Sequence, residues 1–263
     1  LDEYHGQSLW ESLNGVPDSG EPMIGLVAWE EALAELEKET KMQLAPDQRL
    51  AFAEAVQTPR TWGLQGPPGT GKTVVAAFVA EALTRRLQHR VLVTAVSHEA
   101  VNRVLLELKT LFPKRSLVKI APKWRDAPSH DIQTYTHNDF NHNYRKLLRN
   151  RPILGATLHT SLLLSVVYGQ RGDVVIVDEA SQAALAYGAL LGSLGFSTLL
   201  FGDPCQLNAI FPAELIKHPL ATSLLERFAS IRPLTKLTYT YRLNRPLAHM
   251  IGQSFYPDSA GAS

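Results

Sequence analysis

Gly66-Pro67-Pro68-Gly69-Thr70-Gly71-Lys72-Thr73 fits G-x-x-x-x-G-K-[ST], the pattern of a phosphate-binding loop. Residues 61–65 before it are typical of a short strand, and residues 74–80 after it are typical of a buried helix. The glycines allow consecutive backbone N–H groups to turn inward, and the helix directs its positive end at the same place. The alternative is a glycine-rich loop that binds nothing, which this strand-turn-helix context disfavours. We therefore expect Lys72 to reach the β- and γ-phosphates and Thr73 to hold Mg²⁺.

The composition of the chain excludes several classes of protein. It has 263 residues, of which 45% are hydrophobic, and it has one cysteine, Cys205. One cysteine excludes a disulfide framework or a four-cysteine zinc site within this chain. The longest apolar stretch, residues 153–168, contains glycine, threonine and histidine and is too short to span a bilayer. We expect no membrane association and an intracellular location, cytoplasmic or nuclear if the source is eukaryotic.

Charge is unevenly distributed, although the net charge is only +1. Residues 1–47 carry eleven acidic and two basic side chains, whereas residues 109–151 carry ten basic and three acidic ones. The basic segment could face phosphate backbones, but charge alone favours a solvated surface. Its aromatic residues either stack on bases or anchor the loop: Trp124, Tyr135, Phe140 and Tyr144. Its histidines, His130, His137 and His142, are better explained by a polar loop than by a metal site.

Apolar runs and helical spacing alternate along the chain. Strand-like runs occupy residues 61–65, 91–96, 117–120, 153–156, 173–177, 197–201 and 236–238. Helical spacing begins at 74–80 and also occurs at 29–42, 47–56, 99–111, 158–167, 181–191, 220–228 and 246–255. Residues 1–25 and 121–143 are expected to be loops, and residues 144–150 a short basic helix. This alternation predicts an α/β domain with a central, mostly parallel sheet flanked by helices.

Two of the predicted strands end in polar residues. Asp178 and Glu179 follow the apolar run 173–177, and ligands bind at the carboxyl edge of parallel sheets. Asp178 would hold the metal, and Glu179 would accept a proton from the attacking water or orient it. The alternative is that these acids simply meet solvent at a strand end. In the next strand-end loop, Gln206 could sense the γ-phosphate or water, whereas Cys205 has no evident partner.

Taken together, these motifs resemble those of superfamily 1 helicases. The segments are GPPGTGKT, DEASQ at 178–182, GDPCQL at 202–207 and TYRLNRP at 240–246. Subclass B is most similar, the group of the nonsense-mediated-decay RNA helicase and the Okazaki-fragment helicase-nuclease. The resemblance extends from residue 48 to about residue 256. It implies a RecA-like P-loop NTPase domain that binds ATP, Mg²⁺ and single-stranded DNA or RNA.

The resemblance assigns roles to individual residues. Gln48 would read adenine and Tyr241 would stack on it, while Arg242 would contact the γ-phosphate and Gln206 would couple nucleotide state to the strand-binding surface. The implied catalytic residues are Glu179, Lys72, Gln206 and Arg242. The implied nucleotide-binding residues are Gln48, Gly66, Pro67, Pro68, Gly69, Thr70, Gly71, Lys72, Thr73 and Tyr241, with Thr73 and Asp178 at the metal.

Nucleic-acid contacts are implied for Thr94, Ser97, His98 and Thr157. His98 stands where the family usually has asparagine, and Asn102 stands where it usually has aspartate. Two further departures are Asn208 in place of a proline and Leu243-Asn244 in place of Met-His. The phosphate-handling residues, in contrast, all match the family pattern.

We divide the chain into three parts. Residues 1–45 form an N-terminal extension with a candidate stalk helix, residues 46–256 form the RecA-like ATP-binding domain with a polar and basic insertion at about 121–150, and residues 257–263 form a tail. In the resembling family a second RecA-like domain follows and supplies an arginine worth roughly 10³–10⁵ in rate. We therefore expect this domain alone to hydrolyse ATP weakly. An ATP-switched binding module without unwinding activity is the alternative, and Glu179, Gln206 and Tyr241 argue against a small-molecule kinase.

Overall fold

The computed structural model describes residues 7–16, 26–122, 128–136, 139–140, 152–168, 172–218 and 220–256. Its helices are α1 (Gln7–Leu13), α2 (Leu26–Thr40), α3 (Pro46–Gln57), α4 (Lys72–Leu87), α5 (His98–Leu111), α6 (Leu158–Tyr168), α7 (Gly188–Leu191), α8 (Leu224–Ala229) and α9 (Arg245–Phe255). Its strands are β1 (Thr61–Gln65), β2 (Val91–Ala95), β3 (Leu117–Ile120), β4 (Gln133–Tyr135), β5 (Ile153–Thr157), β6 (Val174–Val177), β7 (Ser197–Gly202) and β8 (Thr235–Lys236). Short 3₁₀ turns occupy Leu185–Tyr187 and Ala213–Leu215.

The strands form one sheet in the order β4-β3-β5-β2-β6-β7-β1-β8. Every pairing within it is parallel. The prediction of a central, mostly parallel sheet flanked by helices is therefore confirmed. β1, β7 and β6 are neighbours, with Gln65 beside Gly202 and Val177 beside Leu200. Because parallel strands end at one edge, the loops after these three strands meet there.

Alternate residues of each strand enter two separate cores. On one face, Val93 and Phe201 pack with apolar residues of α2, α3, α4 and α5. On the other, Leu92 and Leu200 pack with residues of α1, α6 and α8. Burial on both faces explains why the strands appear in sequence as continuous apolar runs. Within the described residues, every helix is too short or too polar to cross a bilayer.

The N-terminal helices are integrated into these cores. The prediction of a loop over residues 1–25 is wrong at α1, whose Leu9 and Leu13 are fully buried. Arg227 donates from Nε to the Leu13 carbonyl at 3.0 Å, and Arg60 pairs with Glu11 at 2.8 Å. Two leucines spaced i, i+4 are too weak a periodic signal to predict a helix, which here is stabilised by tertiary packing.

An ion cluster around a buried glutamate links α4 to its neighbours. Glu81 on α4 is 1% exposed and accepts two hydrogen bonds of 2.6 Å from Arg115 and two, of 2.7 Å and 3.0 Å, from Arg85. Arg85 also pairs with Glu39 of α2 at 2.7 Å. Leaving the buried Glu81 unpaired would be strongly destabilising, whereas the partly exposed Arg85–Glu39 pair adds only a modest link between α2 and α4.

Other predicted elements differ from the structure. The helix predicted at 181–191 is wrong over its first half, because the Ala180 N–H bonds to the Phe201 carbonyl and Ala184 bridges Ser223. Backbone groups of Ala180 and Ala184 are thus paired with β7 and with Ser223, and they are not available for the hydrogen bonds of an α-helix. The later helix begins at Leu224 rather than 220, and the last strand is Thr235–Lys236 rather than 236–238.

The segment 121–143 is not a featureless loop. β4 adds to the sheet edge beside β3, and Phe140 is fully buried, so this aromatic residue anchors the segment. Trp124, Tyr144, His137, His142 and the basic helix predicted at 144–150 lie outside the described residues.

Candidate nucleotide-binding site

The glycine-rich loop connects β1 to α4 at the carboxyl edge of the sheet. Gly69 and Gly71 have φ values of 78° and 85°, in the left-handed region. A Cβ at Gly66 would lie 2.6 Å from Lys72 Cγ, and one at Gly69 would lie 2.4 Å from Arg242 Cβ. The Gly66 N–H donates to the Gly202 carbonyl at 3.0 Å, so the loop is fixed to the end of β7. These constraints require glycine and leave a concave loop whose backbone amides can bind an anion.

Gly71→Ala is expected to destabilise the protein by about 1–3 kcal/mol, because its positive φ is unfavourable for alanine. The new Cβ would also lie 2.4 Å from Gln48 Nε2. Chemical denaturation measures the effect. Gly252→Ala is the matched control, since its Cβ meets nothing within 4 Å inside α9. That change should stabilise by about 0.5–1 kcal/mol, and equal effects of the two changes would contradict the prediction.

Lys72 begins α4 and turns back over the loop. Its Nζ donates to the Gly66 carbonyl and, at 3.5 Å, to the Pro67 carbonyl. Burial lowers the pKa of Lys72, while the carboxylates of Glu179, Asp203 and Asp178 oppose the shift. The ammonium therefore lies among loop carbonyls and three acids, where phosphate oxygens could replace the carbonyls.

Asp178 lies at the end of β6, where its N–H donates to the Thr94 carbonyl at 2.9 Å. Its Oδ2 is buried and has no hydrogen-bond partner among the described residues. Burial raises the pKa of the Asp178 carboxyl to about 6; Glu179 adds to the shift and Lys72 opposes it. A buried, unpaired carboxylate oxygen in the same cleft as the Thr73 hydroxyl fits the oxygen ligands that Mg²⁺ prefers.

Asp178→Asn is expected to raise the free energy of unfolding at pH 8, in metal-free buffer, by about 1–3 kcal/mol. The folded-state pKa of about 6 lies above the value of about 3.9 for an unfolded aspartate. The carboxylate therefore destabilises the fold fully above pH 6, and this cost disappears below about pH 4. Urea denaturation at pH 4 and pH 8 tests this, with exposed Asp131→Asn as the control. If Asp178→Asn raised the free energy of unfolding equally at pH 4 and pH 8, the assignment of a raised pKa to Asp178 would be wrong.

Glu179 follows directly in an uncommon backbone conformation, with φ at 51°. Its carboxylate is mostly buried and pairs with Arg103 Nη1 of α5 at 3.2 Å. A non-glycine residue in the left-handed region costs free energy and is typical of functional sites. The sharp turn brings Asp178 and Glu179 into the same cleft as Lys72.

A segment before α9 covers the loop from the other side. The Tyr241 N–H donates to the Gly69 carbonyl at 2.9 Å, and Thr240 Oγ1 donates to the Pro68 carbonyl at 3.2 Å. Gln48 of α3 donates from Nε2 to the Thr70 carbonyl at 2.9 Å and is buried. The Tyr241 side chain is 65% exposed, so its ring is free to receive a planar group.

These residues line one cleft of about 700 Å³. All of the predicted catalytic residues line this cleft. So do all of the residues predicted to bind nucleotide or metal, except Gly66, which is buried at the start of the loop. The predicted residues in the cleft are Gln48, Pro67, Pro68, Gly69, Thr70, Gly71, Lys72, Thr73, Asp178, Glu179, Gln206, Tyr241 and Arg242. It also contains Arg103 and Glu107 of α5, which sequence reasoning missed. Burial raises the pKa of Glu107. The i, i+4 spacing of Arg103 and Glu107 indicates that both side chains lie on one face of the helix after β2.

The residues predicted to touch nucleic acid lie at the carboxyl ends of β2 and β5: Thr94 and Thr157 belong to these strands, and Ser97 and His98 follow β2. Thr94 is fully buried and accepts from Ser161 Oγ at 3.4 Å; Thr157 is also buried and donates to Thr160 Oγ1 at 3.1 Å. Thr94 therefore presents no surface to a nucleic-acid strand, and Thr157 presents little. Ser97 caps α5, accepting from the Ala100 N–H at 3.1 Å. His98 is half-buried, so Ser97 and His98 remain accessible at this edge.

Several basic side chains of the segment 109–151 make contacts within the fold. Arg115 belongs to the Glu81 cluster, and Lys109 donates to the Pro113 carbonyl at 2.9 Å. Lys119 is buried, with Nζ 2.5 Å from Asn102 Oδ1. The count of basic residues in 109–151 therefore overstates the positive surface available to a phosphate backbone.

Comparisons with known proteins agree with this geometry. Residues 43–224 match the family model of an AAA domain, AAA_30. The Arabidopsis thaliana protein "Regulator of nonsense transcripts 1 homolog" is 27% identical over 236 residues, covering 73% of this chain and 18% of the relative. The "ATP-dependent helicase NAM7" of Saccharomyces cerevisiae is 26% identical over 256 residues, covering 82% and 26%. The chain thus matches only 18% and 26% of the length of these two relatives.

Solved helicase structures share the fold. The arterivirus nonstructural protein 10 helicase, in complex with DNA, aligns with a TM-score of 0.51 and 17% identity, covering 81% of this chain and 43% of that one. The UvsW helicase of bacteriophage T4 aligns with a TM-score of 0.51 and 16% identity, covering 69% and 61%. At these identities the likeness shows the fold, which is RecA-like.

Proposed function

Because the chain belongs to the AAA domain family whose model matches residues 43–224, we propose that it is the ATP-driven motor domain of a superfamily 1B helicase. One observation carries the proposal: the glycine-rich loop, Lys72, Asp178 and Glu179 meet in a single cleft. That cleft offers backbone amides for phosphates, a cation, a candidate metal ligand and a candidate base. Phosphoryl transfer needs such positioning and charge more than covalent participation.

In the proposed reaction, water attacks the γ-phosphorus of ATP and the bond to the β-phosphate oxygen breaks. Glu179 orients the water and takes its proton, and Lys72 and Arg242 hold the γ-phosphate oxygens. Asp178 and Thr73 would hold Mg²⁺, which when bound neutralises phosphate charge. Gln48 and Tyr241 would hold the adenine. Support comes from their common cleft and from the unpaired Oδ2 of Asp178 among the described residues.

We further propose that the motor acts with a second RecA-like domain and a single strand of DNA or RNA. The relatives are several times longer than this chain, and α9 exposes Met250 and Phe255 at 58% and 60%. An arginine from the second domain would add roughly 10³–10⁵ in rate, so hydrolysis by this chain alone should be slow. Translocation would require the two domains to close and open on the strand.

The test is ATP hydrolysis by the 263-residue chain, with and without single-stranded DNA or RNA of mixed sequence. We expect slow basal hydrolysis and stimulation by a strand, and comparison of the two polymers identifies the preferred one. Strand binding that depends on ATP but occurs without hydrolysis would favour a switched binding module instead. Absence of ATP binding, or turnover only with a small-molecule acceptor, would overturn the proposal.

A further inference from the structure

A buried carboxylate behind the cleft joins three parts of the fold. Asp203 follows β7 and is fully buried. Its Oδ1 accepts from the Cys205 N–H at 3.1 Å and from Gln65 Nε2 at 3.5 Å. Its Oδ2 accepts from Gln206 Nε2 at 2.6 Å and from the Tyr256 hydroxyl. The donors come from the end of β1, the loop after β7 and the end of α9.

These four bonds fix the orientation of Gln206. An ionised carboxylate only accepts, and its two oxygens have about four acceptor sites. The Gln206 amide must therefore present its nitrogen to Asp203. The Gln206 side chain also donates a hydrogen bond to the Tyr256 hydroxyl. Its Oε1 remains available to the cleft, which Gln206 borders. An oxygen held there can accept a hydrogen bond from water near the γ-phosphate.

We propose that Tyr256 is a positioning residue for Gln206 and acts both directly and through Asp203. The inference rests on the proposed function, since Gln206 matters only if the cleft handles a triphosphate. Tyr256 is 7% exposed, and its N–H bonds to the Gly252 carbonyl at 2.9 Å, which seats the ring at the end of α9. Its hydroxyl holds the Asp203 oxygen that also holds the Gln206 amide. Loss of this hydroxyl removes one of the four hydrogen bonds to the carboxylate and the direct contact to Gln206, which leaves the Gln206 side chain less ordered.

The hydrogen bond from Tyr256 to Asp203 could serve only to stabilise the fold. The test therefore needs a measurement that a change in stability alone would not alter. Tyr256→Phe, Gln206→Ala and the double variant form a cycle in which kcat and KM for Mg-ATP are measured. We expect Tyr256→Phe to lower kcat by about 3- to 10-fold, the effect of one lost buried hydrogen bond, with KM for ATP little changed. In the Gln206→Ala background it should lower kcat no further, because residues that act as a unit are not additive. Tyr187→Phe, which removes a hydroxyl outside the cleft, should leave kcat unchanged.

Two results would overturn the inference: an unchanged kcat in Tyr256→Phe, or effects that multiply in the double variant. Hydrogen–deuterium exchange adds a readout that does not require turnover. The Cys205 backbone N–H donates to Asp203 Oδ1, and the Gln206 backbone N–H donates to the Asp203 carbonyl, both at 3.1 Å. Both should exchange faster in Tyr256→Phe while β7 stays protected. Unchanged exchange at these amides would also overturn it. Failure of the parent chain to bind or hydrolyse ATP would refute the proposed function instead.

Discussion

Lys72→Ala is expected to weaken Mg-ATP binding by about 10- to 100-fold, since a charged hydrogen bond contributes about 1.5–3 kcal/mol. The ammonium lies over the glycine-rich loop, bonded to the Gly66 and Pro67 carbonyls, where the phosphates would bind. Its loss leaves the backbone amides as the main anion donors in the loop. Titration with a fluorescent ATP analogue measures the change in affinity.

Lys38→Ala provides the control, because Lys38 is an exposed residue near the end of α2. It removes the same charge from the protein and should leave the affinity for nucleotide unchanged. If Lys72→Ala binds Mg-ATP as tightly as the parent, the assignment of the loop as a phosphate site is wrong.

Glu179→Gln should lower the rate of ATP hydrolysis by about 10²–10⁴-fold, the usual contribution of a general base. Nucleotide affinity should change little, because the amide keeps the shape of the side chain and the phosphate-binding loop is untouched. The substitution also replaces an ionic contact to Arg103 with a neutral one. Single-turnover hydrolysis and equilibrium binding, measured on the same preparation, separate the two effects.

Glu30→Gln on the exposed side of α2 is the matched control and should leave both measurements unchanged. Hydrolysis at the parental rate by Glu179→Gln would exclude Glu179 as the base. A parallel loss of binding and hydrolysis would instead assign it to holding the nucleotide.

The sheet and the cleft were predictable from sequence for a physical reason. Buried parallel strands require continuous apolar runs, and the polar residues after them must meet at one edge. The strand pattern alone therefore predicts that Asp178, Glu179 and Gln206 lie at the same edge of the sheet. Their roles in catalysis remain predictions until the variants are measured.

The parts that sequence reasoning missed depend on tertiary contacts. Helix α1 is held by packing, and the turn after Asp178 is held by backbone bonds to β7 and Ser223. Tyr256 and Asp203 are 53 positions apart, and local spacing carries no information about such a pair. Arg103 was visible as a charge on α5, but nothing in the sequence placed it opposite Glu179.

The burial of α1 and α2 bears on where the gene can be trimmed for expression. A clone that starts at Pro46, the first residue of α3, would remove Leu33 and Leu36 from one core and Leu9 and Leu13 from the other. It would also delete Glu39, leaving Arg85 with a single acidic partner, Glu81. A recombinant product that includes every motif can therefore still aggregate, and a 5′ primer is better placed upstream of α1.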